Sequence, residues 1–227
     1  MRIVSPEPAA ACAVHVMDVL AKALESQHFA TFAVSGGTSP KVMFDRLAAT
    51  PFPWDRVHLF FVDERCVPPT DPASNYRMAN EHLIRPAGIP ERNVHRIVTA
   101  EQYSGEIRDF FGKIGQKMPR FDLIHRGIGA DAHTASLFPG EPLIDDREGI
   151  AAQVYVEKLN MSRITLLPGV LEAARQTVVL ATGADKAGAV RAVFREPYDP
   201  KKYPAQLANQ GDGVVWFLDA AAAKLLD

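Results

Sequence analysis

Residues 121–140 of the chain read FDLIHRGIGADAHTASLFPG. The segment opens with the apolar residues Phe121 and Leu123, which indicate a strand, and then turns on two glycines. In open α/β sheets, ligands bind beyond the carboxyl ends of the strands, where turns of this kind lie. The turn carries Asp131 and His133, and histidine is the commonest general base. The segment therefore predicts a catalytic pair, with the alternative that His133 only caps the following turn.

Outward from this segment, the chain alternates between strand-like and helix-like stretches. The apolar patterns predict strands at 2–5, 29–34, 57–62, 94–98, 151–156, 163–167, 177–181 and 214–218. They predict helices at 7–27, from Pro40 onward, at 74–84, 103–118 and 168–174, from about Asp185, and at 219–226. Strands separated by helices form βαβ units. We predict an α/β fold in which residues 1–227 make a single domain, with a mostly parallel, Rossmann-like sheet flanked by helices in three layers, α/β/α.

Composition narrows the class of protein. The 227 residues are 47% hydrophobic and 23% charged, as in ordinary globular proteins, and no apolar run approaches the length of a membrane span. A formal net charge of −2 gives no electrostatic reason to expect binding to nucleic acid or to an anionic membrane. Two cysteines do not make a disulfide framework, and the N-terminus lacks the features of a signal peptide. We expect a cytoplasmic protein.

A second polar loop follows the predicted strand at 29–34 and reads Ser-Gly-Gly-Thr-Ser-Pro from Ser35. Gly36 and Gly37 let backbone N–H groups approach an anion, and a helix N-terminus after them favours negative charge. The hydroxyls of Thr38 and Ser39 can add hydrogen-bond donors. The loop therefore predicts a phosphate site, and the alternative is a tight turn with Ser39 as the helix cap. It is not a Walker A loop, because the Gly-Lys-Ser/Thr ending is missing.

Charged residues occur at three further predicted strand or helix ends. Asp63 and Arg65 follow a buried strand, where Arg65 could hold a phosphate and Asp63 could orient a hydroxyl or a neighbouring cation. Lys186 lies at the start of a helix, where a cation opposes the helix dipole, so an anionic ligand explains it better than a structural role. Arg163, at a predicted strand start, is a further candidate. The alternative for Asp63 and Arg65 is a solvated charge cluster.

The block Asp131-x-His133-Thr-Ala-Ser-Leu-Phe-Pro, after a Gly-x-Gly turn, resembles the signature of 6-phosphogluconolactonases. The blocks Ser-Gly-Gly-Thr-Ser-Pro from Ser35 and Asp-Glu-Arg-x-Val-Pro from Asp63 resemble that family in the same order. One departure is Ala132, where the family commonly has glycine, and a methyl group disfavours positive φ. The resemblance implies hydrolysis of 6-phospho-D-glucono-1,5-lactone to 6-phosphogluconate, a step of the oxidative pentose phosphate pathway.

The resemblance also implies roles for individual residues. His133 would activate water, while Asp131 would either orient the imidazole or bind a sugar hydroxyl. In the family, the matching arginine and lysine are associated with the substrate phosphate, which implies this role for Arg65 and Lys186. The residue arguments above add Gly36, Gly37, Thr38, Ser39, Asp63 and Arg163 as substrate-binding candidates. We expect a small sugar phosphate as the substrate, no cofactor, no metal, no nucleic-acid or membrane partner, and a monomer or weak homodimer.

Three other functions fit the sequence less well than lactone hydrolysis. The run from Gly127 to Ala132 fits the dinucleotide fingerprint, but Pro139 and Gly140 break the helix that this fingerprint needs. An aminosugar-phosphate deaminase would share the fold, yet its usual Phe-Asn-Glu-Pro continuation after the histidine is absent here. A silent sugar-phosphate sensor usually carries a DNA-reading module, for which this chain has neither spare length nor a basic helix-turn-helix.

Overall fold

The computed structural model describes residues 1–210 and 213–226. The strands are β1 (Arg2–Val4), β2 (Ala30–Val34), β3 (Val57–Phe61), β4 (Asp63–Arg65), β5 (Val94–His95), β6 (Leu123–Arg126), β7 (Ala151–Val156), β8 (Met161–Leu166), β9 (Gln176–Ala181) and β10 (Val214–Leu218). The α-helices are α1 (Pro8–Ser26), α2 (Thr38–Ala48), α3 (Asn75–Ala79), α4 (Arg85–Ala87), α5 (Ala100–Lys113), α6 (Pro168–Ala173), α7 (Ala187–Arg195) and α8 (Ala220–Ala223). A π-helical turn, Asn80–Ile84, joins α3 to α4.

A seven-stranded parallel sheet forms the centre of the molecule, with the strand order β1-β10-β9-β6-β2-β3-β5. Every residue of β2 and β6 is buried, which is why β2 reads as a short, mostly apolar run rather than as an alternating one. In β6 the burial extends to the polar side chains of His125 and Arg126. Helix α1 packs on β9 and β10 and against α2. The predicted parallel α/β sheet flanked by helices is confirmed.

The strand order reverses direction between β2 and β6. From β2 the chain proceeds outward to β3 and β5, whereas from β6 it proceeds to the other side, through β9 and β10. In parallel sheets this switch point opens a crevice beyond the carboxyl ends of the two strands, because the loops that follow them run in opposite directions. The loops after Val34 and Arg126 lie at this crevice.

A separate three-stranded antiparallel sheet, with the order β4-β8-β7, accompanies the main one. The predicted strands at 151–156 and 163–167 lie here as an antiparallel hairpin and not in βαβ units. Their connection is a short turn through Asn160, whose φ is 47°, and a parallel crossover needs a dozen or more residues. The segment Asp63–Arg65, which we interpreted as a loop, is the strand β4. In the described part of the chain, no helix is both long and apolar enough to cross a bilayer.

Candidate active site

A cleft of about 190 Å³ lies at the carboxyl ends of the parallel strands. It is lined by the loops after β2 and β6, by residues of β4, β8 and β9, by the first residues of α2 and α3, and by two residues that follow β9, Thr182 and Lys186. His133 and all eight predicted substrate-binding residues line it, namely Gly36, Gly37, Thr38, Ser39, Asp63, Arg65, Arg163 and Lys186. Asp131 is not in the lining but contacts His133 from behind. The fold therefore brings together loops that are up to 150 residues apart in the sequence.

The Gly36–Gly37 loop leads from β2 directly into α2. Gly37 has φ of 124°, a value that favours glycine. A Cβ on Gly36 would lie only 1.8 Å from Oδ1 of Asn75, so any larger residue at this position would displace that side chain. The alternative in which Ser39 caps the helix is wrong: the N-cap is Gly37, and the Ser39 hydroxyl is 2.6 Å from Oγ1 of Thr182.

Two arginines face each other across the antiparallel pairing of β4 and β8. Arg65 and Arg163 are register partners, and both line the cleft. Like charges directly opposite each other destabilise a sheet. The Nε atom of each guanidinium group is buried. Neither Nε atom has a hydrogen-bond partner among residues 1–210 and 213–226. Buried donors are normally satisfied, so this pair is suited to an anionic ligand that accepts hydrogen bonds from it.

The side chains of the three charged residues of β4 alternate between the two faces of the strand. The Asp63 carboxylate accepts a hydrogen bond from Ser136 Oγ at 2.7 Å and lies 4.0 Å from Nη1 of Arg163, so it is a counter-ion within the cleft. Glu64 points away from the cleft and accepts hydrogen bonds from the backbone N–H groups of Asn75 (2.7 Å) and Tyr76 (2.8 Å). Glu64 is therefore an anionic cap for α3.

Lys186 is the last residue of a 3₁₀ turn, Ala184–Lys186, and is the N-cap of α7. Its ammonium lies 3.1 Å from the exposed carboxylate of Asp185. Such an exposed ion pair contributes little to stability. Lys186 nevertheless lines the cleft and adds a third cation to those of Arg65 and Arg163.

His133 is held from three directions. Its Nδ1 lies 2.6 Å from Oδ1 of Asp131, and that oxygen also accepts the backbone N–H of His133 at 3.1 Å. The ring of Phe138 stacks on the imidazole with centroids 4.2 Å apart. The third contact is with the backbone of Gly129, where a Cβ would lie 2.0 Å from Nδ1. Because Nδ1 faces Asp131, the imidazole does not cap the following turn and leaves Nε2 free for chemistry.

The turn that carries His133 contains two residues with positive φ, Ala132 (66°) and Ala135 (53°). Ala132 adopts this conformation despite its methyl group, which is buried in a small apolar cluster with Ile128. The N–H of Gly129 donates to the carbonyl of His133 at 2.9 Å, and the N–H of Ala132 donates to the carbonyl of Gly129 at 3.0 Å. These two N–H groups therefore form hydrogen bonds within the turn and are not available to a ligand.

The surroundings of His133 lower the pKa of its imidazole to about 4. Burial is the main cause, and Arg163, Lys186 and Arg65 add repulsion, while Asp63 acts in the opposite direction. The carboxylate of Asp131 at Nδ1 also favours the protonated ring. The balance keeps the imidazole neutral at physiological pH, which is the state that a general base requires.

Sequence reasoning missed several residues of the site. Asn75 lines the cleft, Thr182 binds Ser39, and Ser136 holds Asp63. Phe138 packs on His133 and, through Val154, on the small sheet. Ser136 and Phe138 lie inside the block that resembles the family signature, so the sequence contained a signal for both. Their partners Asp63 and Val154 come from distant segments.

Known proteins resemble this chain in sequence and in fold. Residues 5–217 match the family model described as glucosamine-6-phosphate isomerases/6-phosphogluconolactonase. The chain belongs to this family. The 6-phosphogluconolactonase of Synechocystis sp. is 34% identical over 215 residues, which cover 91% of this chain and 89% of that protein. Human 6-phosphogluconolactonase is 37% identical over 207 residues, which cover 85% of this chain and 79% of the human protein.

Solved structures of the family superpose on the whole chain. 6-Phosphogluconolactonase from Trypanosoma brucei does so with a TM-score of 0.87 at 27% identity, covering 100% of this chain and 98% of that one. A monomeric glucosamine-6-phosphate deaminase superposes with a TM-score of 0.83 but at 16% identity, so it shares the fold alone. The resemblance found in the sequence is thus confirmed at the level of the family and the fold.

Proposed function

We propose that this chain hydrolyses 6-phospho-D-glucono-1,5-lactone to 6-phosphogluconate, with His133 as the general base, and that residues 1–227 act as one domain. The observation that carries the proposal is that an imidazole backed by a carboxylate faces the same cleft as two arginines, of which Arg163 is buried and Arg65 is partly buried. The family relationship supports it, because the relatives named above are 6-phosphogluconolactonases.

The cationic end of the cleft is suited to the substrate phosphate. Arg65 and Arg163 have buried Nε donors with no partner in the described residues, and Lys186 adds a point charge. The loop of Gly36 and Gly37 leads into the positive end of α2. Charge-assisted hydrogen bonds of this kind contribute about 1.5–3 kcal/mol each. That binding energy would hold the lactone carbonyl at His133.

The other end of the cleft is suited to the ester chemistry. With a proton on Nδ1 directed at Asp131, Nε2 of neutral His133 carries a lone pair and can take a proton from water. The water oxygen then bonds to the lactone carbonyl carbon, the bond from that carbon to the ring oxygen breaks, and the imidazolium returns the proton to the ring oxygen. Asp131 stabilises the imidazolium during this cycle and therefore orients His133 rather than binding a sugar hydroxyl.

The proposal is tested with lactone generated in place from glucose 6-phosphate and followed by ³¹P NMR, with the spontaneous hydrolysis measured in parallel and subtracted. We expect rapid formation of 6-phosphogluconate by the protein and no release of ammonia from glucosamine 6-phosphate in a matched assay. Ammonia release without lactone hydrolysis would replace the proposal with a deaminase. The unphosphorylated glucono-1,5-lactone is the control for the phosphate contacts and should be hydrolysed much more slowly.

A further inference from the structure

Lys158 lies outside the cleft but contacts the groups that hold His133. It belongs to the short 3₁₀ turn between β7 and β8, and its ammonium forms an ion pair with Oδ2 of Asp131. The other oxygen of that carboxylate, Oδ1, binds Nδ1 of His133 at 2.6 Å. The three side chains therefore form one chain of contacts, from an ammonium through a carboxylate to an imidazole.

A second contact links the same lysine to the same imidazole. The Lys158 ammonium lies over the ring of Phe138, 4.3 Å from its centroid, and that ring stacks on His133 at 4.2 Å. Cation–π contacts of this kind contribute about 0.5–1 kcal/mol at exposed sites. The Lys158 side chain is half exposed, so its burial does not explain its position. Both groups that touch the imidazole from behind thus have the same cation as a neighbour.

We propose that Lys158 is a positioning residue for the hydrolysis, acting on His133 through Asp131 and Phe138. This inference rests on the proposed function. The ammonium binds Oδ2 of Asp131 and thereby fixes the carboxylate. Oδ1 and the imidazole of His133 are therefore held in one arrangement instead of several. The ammonium also offsets part of the carboxylate charge, which limits how strongly Asp131 favours the imidazolium. The base then stays neutral but remains oriented.

The charge of Lys158 should shift the pKa of the His133 imidazole in a predictable direction. The charged groups around His133 are Asp131 in its own loop, Asp63 and Arg65 on β4, Arg163 on β8, Lys186 before α7, and Lys158 in the β7–β8 turn. Removing the Lys158 charge takes one cation from this set and leaves Asp131 without its ion-pair partner. The loss of this cation favours protonation of His133, so the pKa of the imidazole should rise. A lysine whose ammonium did not reach Asp131 would have no such effect.

The test compares Lys158→Met with Lys158→Arg and with Lys113→Met, an exposed control at the end of α5. The imidazole of His133 is titrated by NMR in the ligand-free protein, and the hydrolysis is measured across pH. We expect Lys158→Met to raise the imidazole pKa, move the acid limb of kcat/KM to higher pH and lower kcat about tenfold with little change in KM. Lys158→Arg should restore most of both properties, and Lys113→Met should match the native protein.

An unchanged imidazole titration in Lys158→Met would overturn the proposal, as would a loss of kcat that Lys158→Arg does not restore. The titration does not depend on the reaction. If it shifts as expected while the native protein fails to hydrolyse the lactone, the positioning contact is real and the proposed function is what fails.

Discussion

A single methyl group on Gly129 should disable the site while leaving the fold intact. A Cβ at this position would lie 2.0 Å from Nδ1 and 2.2 Å from Cε1 of His133, and 2.6 Å from Oδ1 of Asp131. Non-bonded carbon contacts need about 3.5 Å, so the imidazole must move by more than about 1 Å. It cannot do so and keep its hydrogen bond to Asp131 and its stacking on Phe138.

The size of the effect follows from that displacement. A misplacement of about 1 Å at a reacting group can lower the rate about 100-fold, which is about 2.7 kcal/mol of transition-state stabilisation. Arg65 and Lys186, which we propose bind the phosphate, lie elsewhere, on β4 and at the start of α7. We therefore expect Gly129→Ala to lower kcat about 100-fold or more with little change in KM.

Gly127→Ala is the matched control for this variant. It lies two residues away in the same loop, and an added Cβ there meets nothing within 4 Å. Both variants should be compared by steady-state kinetics on freshly generated lactone, with thermal unfolding to verify the fold. If Gly129→Ala keeps more than about a tenth of the native kcat, or if Gly127→Ala loses as much, the reasoning from close packing on His133 is refuted.

Three further predictions concern binding, the turn and acid stability. Arg163→Gln should raise KM about 10- to 100-fold, because a charged hydrogen bond worth about 1.5–3 kcal/mol is lost, and an unchanged KM would remove this arginine from the phosphate site. Ala132→Gly should change the free energy of unfolding by less than about 2 kcal/mol, because release of the αL strain, about 1–2 kcal/mol, is offset by the lost methyl burial, about 0.8 kcal/mol, and by the greater backbone freedom of glycine. Thermal melts measure this, and a larger change in either direction would contradict it. Burial lowers the pKa of His125 to about 3, so the unfolded chain binds a proton that the folded chain excludes. This contribution to stability is complete above about pH 6.5 and is lost progressively as the pH falls toward 3. Urea unfolding across this range should show the loss, and His125→Leu should reduce it, whereas an unaltered pH profile in that variant would assign the acid sensitivity to other groups.

The sequence is sufficient to predict at which edge of the sheet the loops lie, but not how their side chains are arranged. The apolar runs ending at Val34, Phe61, Ile124 and Ala181 predict parallel strands, and parallel strands deliver their following loops to one edge of a sheet. Local composition is sufficient for that inference, because buried parallel strands are recognisable as short apolar segments. The convergence of the predicted residues at one cleft follows from this topology.

The features that the sequence did not predict depend on pairing between distant segments. Asp63–Arg65 has no strand-like pattern of its own, and it becomes a strand because β8 supplies the partner backbone. The apposition of Arg65 with Arg163 follows from that register, which no local signal specifies. The same holds for Lys158, whose partner Asp131 lies 27 residues earlier and on a different element.

The measurement that tests the central claim most directly is the kinetics of His133→Ala on freshly generated lactone, with spontaneous hydrolysis subtracted. The account predicts that kcat falls by about 100-fold or more, as general base catalysis contributes about 10²–10⁴-fold, while the affinity for the product 6-phosphogluconate is nearly unchanged. A variant that turns the lactone over at the native rate would contradict the assignment of His133 as the base.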